Sequence, residues 1–169
     1  MNGTLEHVEI EDITEFVEAL DGVLTLKPGP GDGSPEISWG DAFFYYAPDG
    51  VVPRTQPFAT IVTKDYPGDE GSRLDRAGAF RLNIAAGREP RAPADHDVDA
   101  STPDVVFPHP VYGELGWLAI VNPGSRTRTH VLDLLQTAHR LARTRFHRRA
   151  GSGSIPPPQP RLDGNDRDR

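Results

Sequence analysis

The chain has 169 residues, with 18 Lys and Arg against 25 Asp and Glu, a net charge of -7, and no cysteine. That length suits one domain. The missing thiols exclude disulfides and thiolate catalysis, and a net negative chain repels a polyanion overall. No apolar run reaches the ~18 residues that a membrane span needs. The N-terminus lacks the basic and apolar regions of a signal peptide, so a soluble, cytoplasmic protein is expected.

Residues 9–20 (EIEDITEFVEAL) place Ile10, Ile13, Phe16, Val17 and Leu20 on one helical stripe. The acids fill the other face and the first turn, where they complement the helix dipole. Gly22 is placed to stop this helix. Residues 27–35 (KPGPGDGSP) read as a flexible loop. They lack both the Gly-Lys-Ser/Thr ending of a phosphate loop and the strand–helix setting of a dinucleotide site.

Four strands are expected next. Residues 41–46 (DAFFYY) are aromatic on both faces, which suits an interior strand. Ala47-Pro48-Asp49-Gly50 is a turn signal, and residues 58–63 (FATIVT) are β-branched and apolar. In residues 80–84 (FRLNI), Phe80, Leu82 and Ile84 face one way and Arg81 and Asn83 the other. Residues 116–121 (GWLAIV) form the fourth, ended by Asn122-Pro123-Gly124. Between the last two strands, Pro90, Pro93 and Pro103 argue against a long helix in residues 87–104.

Residues 127–149 form the strongest helix. Val131, Leu134, Leu135, Ala138, Leu141, Ala142 and Phe146 keep its stripe, and Ser125 or Thr127 can serve as its N-cap. Residues 150–169 hold one Ile and one Leu, too little apolar surface to offset the entropy of ordering them. Their Pro156-Pro157-Pro158 run favours polyproline II. The expected architecture is therefore α+β: an antiparallel sheet of about four to five strands with the N- and C-terminal helices packed on one face. Residues 1–149 form the domain and 150–169 a disordered tail.

Several blocks carry a resemblance: FATIVT (58–63), SRLDRAGAFRLNI (72–84), FPHPVYGELGW (107–117) and VNP (121–123). Together, over roughly residues 9–146, they resemble a bacterial domain-of-unknown-function family, DUF6194-like, with no assigned activity to carry over. A more distant similarity is to the YjbR family, whose fold is like that of the iron-binding protein CyaY. That similarity implies an N-terminal helix, an antiparallel sheet with an Arg/Leu/Asn strand and a tryptophan strand, and a closing helix. The chain departs from both patterns at residues 88–101 (REPRAPADHDVDAS), where a helix would be expected.

No catalytic motif, cofactor loop or metal-ligand set is read from the sequence. The candidate ligand-binding residues are Arg81, Asn83, His109, Tyr112 and Trp117. Arg81 and Asn83 share a strand face and can grip a carboxylate; alternatively Arg81 pairs with a nearby acid such as Asp75. His109 sits between Pro108 and Pro110, which hold its surroundings extended. It is thereby posed either for binding or proton transfer, or for a structural turn in which it bonds a backbone carbonyl. Tyr112 and Trp117 would line an aromatic pocket beside it. The acidic run Asp65, Asp69, Glu70 and Asp75 lacks the order of a calcium loop and reads as a solvated loop. The six histidines show no paired spacing for zinc.

The leading reading is a non-catalytic small-ligand-binding or accessory domain for an anionic or aromatic ligand. One alternative is nucleic-acid binding through Arg140, Arg143, Arg145, Arg148 and Arg149, although cations at a helix C-terminus also follow from its dipole. Another is an enzyme with His109 as general base.

Overall fold

The computed structural model describes residues 7–88 and 97–152. Helix α1 spans Ile10–Glu18 and is followed by β1 Val23–Leu26, β2 Ala42–Tyr46, β3 Ala59–Val62 and β4 Arg81–Ala85. Then come β5 Val106–Pro108, β6 Trp117–Val121 and α2 Arg128–Ser152. The strands form one sheet in the order β1-β2-β3-β4-β6-β5, and every neighbouring pair is antiparallel. This is the expected α+β class, with six strands rather than four to five.

The two additional strands are both edges. β1 has four residues and follows α1 almost directly, too short for an alternation to show. β5 has three and ends in Pro108, whose missing N–H is tolerated on an outer strand. The aromatic strand β2 lies inside the sheet, between β1 and β3. Residues 89–96, the middle of the Pro-containing stretch, lie outside the described residues. So does the expected tail from residue 153 onward, while α2 continues to Ser152.

One face of the sheet carries the main core. Phe44, Ile61, Leu82, Ile84 and Ile120 meet Ile13 and Val17 of α1 and Val131, Leu134, Leu135 and Ala138 of α2. Both helices thus cover the same face, because each has a single apolar stripe to bury. α1 ends four residues before Gly22, which has φ 66° and turns the chain into β1. A Cβ there would stand 2.7 Å from the Tyr46 ring, so only glycine fits.

The opposite face, onto which Arg81 and Asn83 point, is covered as well. Val62, Phe107, Ala119 and Val121 pack with Leu74, Tyr66, Ala79 and Ala100 into a second, smaller core. Leu74 is 2% exposed and pins the segment 64–79 over the sheet. Burying such a side chain contributes about 1.5–3 kcal/mol. Asp41 ties down the start of the same segment. Its carboxylate accepts from the Thr63 amide and hydroxyl (both 2.9 Å), from Lys64 Nζ (3.0 Å) and from the Tyr66 hydroxyl. Burial, reinforced by Asp41, holds the Tyr66 phenol protonated well above its ordinary range. Among the described residues no helix is long and apolar enough to cross a membrane.

Candidate functional site

The alternation of β4 turns Arg81 and Asn83 onto the covered face, where both are buried. Arg81 Nε donates to Asn83 Oδ1 (2.8 Å), and Asn83 Nδ2 donates to Thr60 Oγ1 (3.0 Å) on the paired strand. Arg81 Nη1 donates to Asp69 Oδ1 (3.0 Å) and Ser72 Oγ (3.0 Å), and Nη2 to Asp69 Oδ2 (2.5 Å). The remaining Nη2 hydrogen faces His109 Nε2 at 3.2 Å. Four guanidinium hydrogens therefore find oxygen acceptors in this chain, the fifth faces the imidazole, and Asp69 takes the forked position that an external carboxylate would need. Burial alone would raise the pKa of Asp69. The hydrogen bonds and charge of Arg81, with His109, outweigh it and keep the carboxyl below its usual range.

His109 is 5% exposed. Its Nδ1 accepts from the amides of Val111 (3.0 Å) and Tyr112 (3.1 Å), and its carbonyl accepts from the Gly113 amide (2.9 Å). The residue thus organises the turn after β5 by accepting backbone amides, where the sequence suggested a bond to a carbonyl. Both ring nitrogens face N–H donors. A neutral imidazole satisfies at most one of these sides, and an imidazolium satisfies neither. Two amides against one guanidinium make Nδ1 the acceptor and put the proton on Nε2, with Asp69 Oδ2 3.9 Å away. Burial and the Arg81 charge, opposed by Asp69, lower the pKa of His109 to about 4. Neither ring nitrogen keeps a lone pair for a substrate proton, as general-base catalysis requires.

The turn passes the contact outward. The Tyr112 ring lies 5.0 Å from His109 and 6.5 Å from Trp117, centre to centre. Gly116, at φ 90°, opens β6, and a Cβ on it would stand 2.6 Å from the Gly87 carbonyl carbon. Only glycine lets the start of β6 approach the end of β4 so closely. The five candidate residues thus form one continuous chain from Asn83 through Arg81, His109 and Tyr112 to Trp117. Its inner members bond one another, and Trp117 reaches open space.

That space is a cleft of about 720 Å³ at the end of the sheet where β2 and β4 finish and β3 and β6 begin. Its walls are the rings of Tyr45, Tyr46, Phe58, Trp117 and Phe146. Arg54 comes from the loop before β3, and Arg145 and Arg149 come from the C-terminal half of α2. Among the described residues, no Asp or Glu lines it. Burial holds the Tyr45 hydroxyl above its ordinary pKa, so it stays a hydrogen-bond donor. His147 Nε2 lies 3.2 Å from the Tyr46 hydroxyl behind this wall, and the buried His139 donates from Nε2 to the Asp21 carbonyl (2.6 Å).

The five helix arginines do not share one stripe. At about 100° per residue, Arg145 and Arg149 stand about 40° apart, facing the cleft with Ala142 and Phe146. Arg140, Arg143 and Arg148 fan out over the rest of the circumference. The acidic run in 65–75 is spent on its own loop. Asp69 holds Arg81, Asp65 Oδ1 accepts from the Leu74 amide (2.8 Å), and Asp75 Oδ1 accepts from the Asp65 amide (3.0 Å). The ion-pair partner of Arg81 is thus Asp69 and not Asp75. Among the described residues, no three His, Asp or Glu side chains are grouped to hold a metal ion.

Nothing in the sequence points to Arg54 or Tyr45, and Arg145 and Arg149 stand out there only as part of a basic helix end. The spacing 142, 145, 146, 149 marks one helix face, but no pattern says that residues 53–57 close against it. No curated protein and no solved structure matches the chain, so the similarity to the YjbR and CyaY shape finds no support there. The profile of a family of unknown function, DUF6194, matches residues 8–151, and the chain belongs to that family.

Proposed function

We propose that the protein is a non-catalytic binding domain for a small anionic, aromatic ligand, held in the cleft at the end of the sheet. One observation carries this reading: Arg54 and Arg145 stand at the rim of a floor of aromatic rings, and among the described residues no carboxylate lines the cleft. Aromatic walls supply apolar contact and ring stacking. Arginine supplies orientation through forked hydrogen bonds to an anion. The volume of about 720 Å³ falls in the range of small-molecule sites, roughly 300–1,000 Å³. In this reading Trp117 touches the ligand. Tyr112, His109, Arg81 and Asn83 fix the turn that places Trp117, which explains why polar residues are buried behind a binding wall.

Thermal unfolding of the full chain with benzoate, naphthalenesulfonate, acetate and benzyl alcohol tests the proposal. A ligand at ten times its Kd adds about 1.4 kcal/mol, or about 3–6 °C for a domain of this size. The aromatic anions should raise the melting temperature by that amount, and acetate and benzyl alcohol should leave it unchanged. The combined Arg54→Ala and Arg145→Ala substitutions should abolish the shift, and Arg143→Ala should retain it. Equal shifts in wild type and the double variant would refute the cleft as the site.

A further inference from the structure

The cleft has more apolar surface to cover than a small ligand reaches. Val51 and Val52, both exposed, lead directly into Pro53 on its wall. Among the described residues, neither the Tyr45 hydroxyl nor the Trp117 indole N–H donates a hydrogen bond to another group. The cleft thus offers ring faces and donors. Its complement is a segment with apolar surface and free carbonyls but few N–H groups, which is the chemistry of consecutive prolines. Proline-rich segments dock into aromatic-lined grooves as polyproline II for this reason.

The chain carries such a segment next to the cleft. Residues 153–160 read GSIPPPQP, with four prolines, the apolar Ile155 and no charge to oppose Arg54 or Arg145. Pro157 and Pro160 stand three positions apart, which puts them on one side of a polyproline II helix. Arg149 lines the cleft, and residue 155 follows it by six positions, at most about 20 Å of chain. A Gly/Ser linker lets a backbone reverse its direction, and Gly151, Ser152, Gly153 and Ser154 stand in a row between the two. A linker this short gives a tethered segment an effective concentration on the order of millimolar, so weak contacts suffice.

We infer that residues 155–160 of this chain dock in the cleft as a polyproline II segment, against Trp117, Tyr45 and the wall begun by Val51 and Val52, and compete there with the small ligand. This rests on the proposed binding cleft and adds its regulation. The prolines present rings to the aromatic floor and carbonyls to the Tyr45 and Trp117 donors. A ligand reaches that floor only as the segment leaves it. If the segment holds the cleft about nine-tenths of the time, ligand affinity falls about tenfold.

Two measurements on the full chain separate the docked segment from the ligand site beneath it. Naphthalenesulfonate is titrated calorimetrically into wild type and into a variant carrying Pro157→Ser, Pro158→Ser and Pro160→Ser. The variant should bind it about tenfold more tightly. The chain has no cysteine, so a nitroxide attached through Leu162→Cys goes to one place. It should broaden the Trp117 indole signal and leave that of Trp39, at the opposite end of β2, sharp. The three serines should remove most of the Trp117 broadening. Equal affinity in the two chains would overturn the competition while leaving the cleft as a ligand site. Equal broadening in the two would overturn the docking. Broadening passed from a nitroxide-bearing chain to an isotope-labelled chain without one would assign the docked segment to a second copy and overturn the intramolecular form. Naphthalenesulfonate binding to neither chain would overturn the small-ligand reading and the competition with it, while loss of broadening in the serine variant would still support the docked segment.

Discussion

Arg81 shows how a polar residue in a strand can be structural and still bear on a site. Its guanidinium and Asp69 form a nearly buried pair, 3% and 14% exposed at the side chain. Removing one partner strands the other charge, which costs about 3–5 kcal/mol. Arg81→Met and Asp69→Leu should each lower stability by about that amount in chemical denaturation. The double variant should lose less than the sum of the two. Additive losses would mean that the pair is not coupled.

His109 sets a pH dependence of the opposite kind from a paired histidine. Its pKa falls from 6.5 in the unfolded chain to about 4 in the fold. Below pH 6.5 the unfolded state therefore binds a proton that the folded state refuses. Its contribution to stability is complete above pH 6.5 and is lost as pH falls toward about 4. His109→Asn keeps an acceptor for the Val111 and Tyr112 amides but does not titrate. The variant should show a flatter denaturation midpoint between pH 6.5 and 4.5 than wild type. Parallel curves would place the proton elsewhere.

At the scale of elements, the N-terminus of α2 depends on a residue outside the helix. Asp104, at φ 57°, accepts from the amides of Gly124 (2.8 Å), Arg126 (3.1 Å) and Thr127 (3.1 Å) and from the Thr127 hydroxyl (2.6 Å). Burial raises its pKa less than these four donors lower it, so the carboxylate stays charged against the helix dipole. Asp104→Ala should destabilise the domain by about 2 kcal/mol, the upper end for a lost cap. Thr127→Ala should cost less. Both are read from denaturant midpoints, and an Asp104→Ala protein as stable as wild type would show that water serves the helix end equally well.

Much of this was legible in the chain. The periods of α1, β4 and α2 gave the two apolar stripes and the strand that carries Arg81 and Asn83 on one side. The proline-flanked histidine gave a posed residue at 109. Other features depend on contacts that no local period records. Leu74 sits in a segment with turn chemistry, so its burial over the second face was hidden. Asp69 lies 12 residues before Arg81 in a loop that reads as solvated. The adjacent Ser125 and Thr127 have the chemistry of a cap for α2, but the chief acceptor lies more than twenty residues earlier.

Across the whole molecule, two faces of one sheet perform different tasks. One buries both helices. The other buries a polar chain that runs from Asn83 through Arg81 and His109 to the aromatic turn before β6. At the end of the sheet, that turn, the loop before β3 and the last turns of α2 meet around the cleft. The two tryptophans, Trp39 and Trp117, offer an internal control, since only Trp117 lines it.

A proton–nitrogen correlation titration of the labelled full chain with naphthalenesulfonate tests where binding occurs most directly. The indole signal of Trp117 and the amides of Thr55, Gln56, Ala142 and Phe146 should move together along one saturable curve. The Trp39 indole and the Asn83 side-chain amide should stay fixed. Shifts confined to Asn83 and its buried neighbours, or a spectrum with no shifts at all, would contradict a binding site at the end of the sheet.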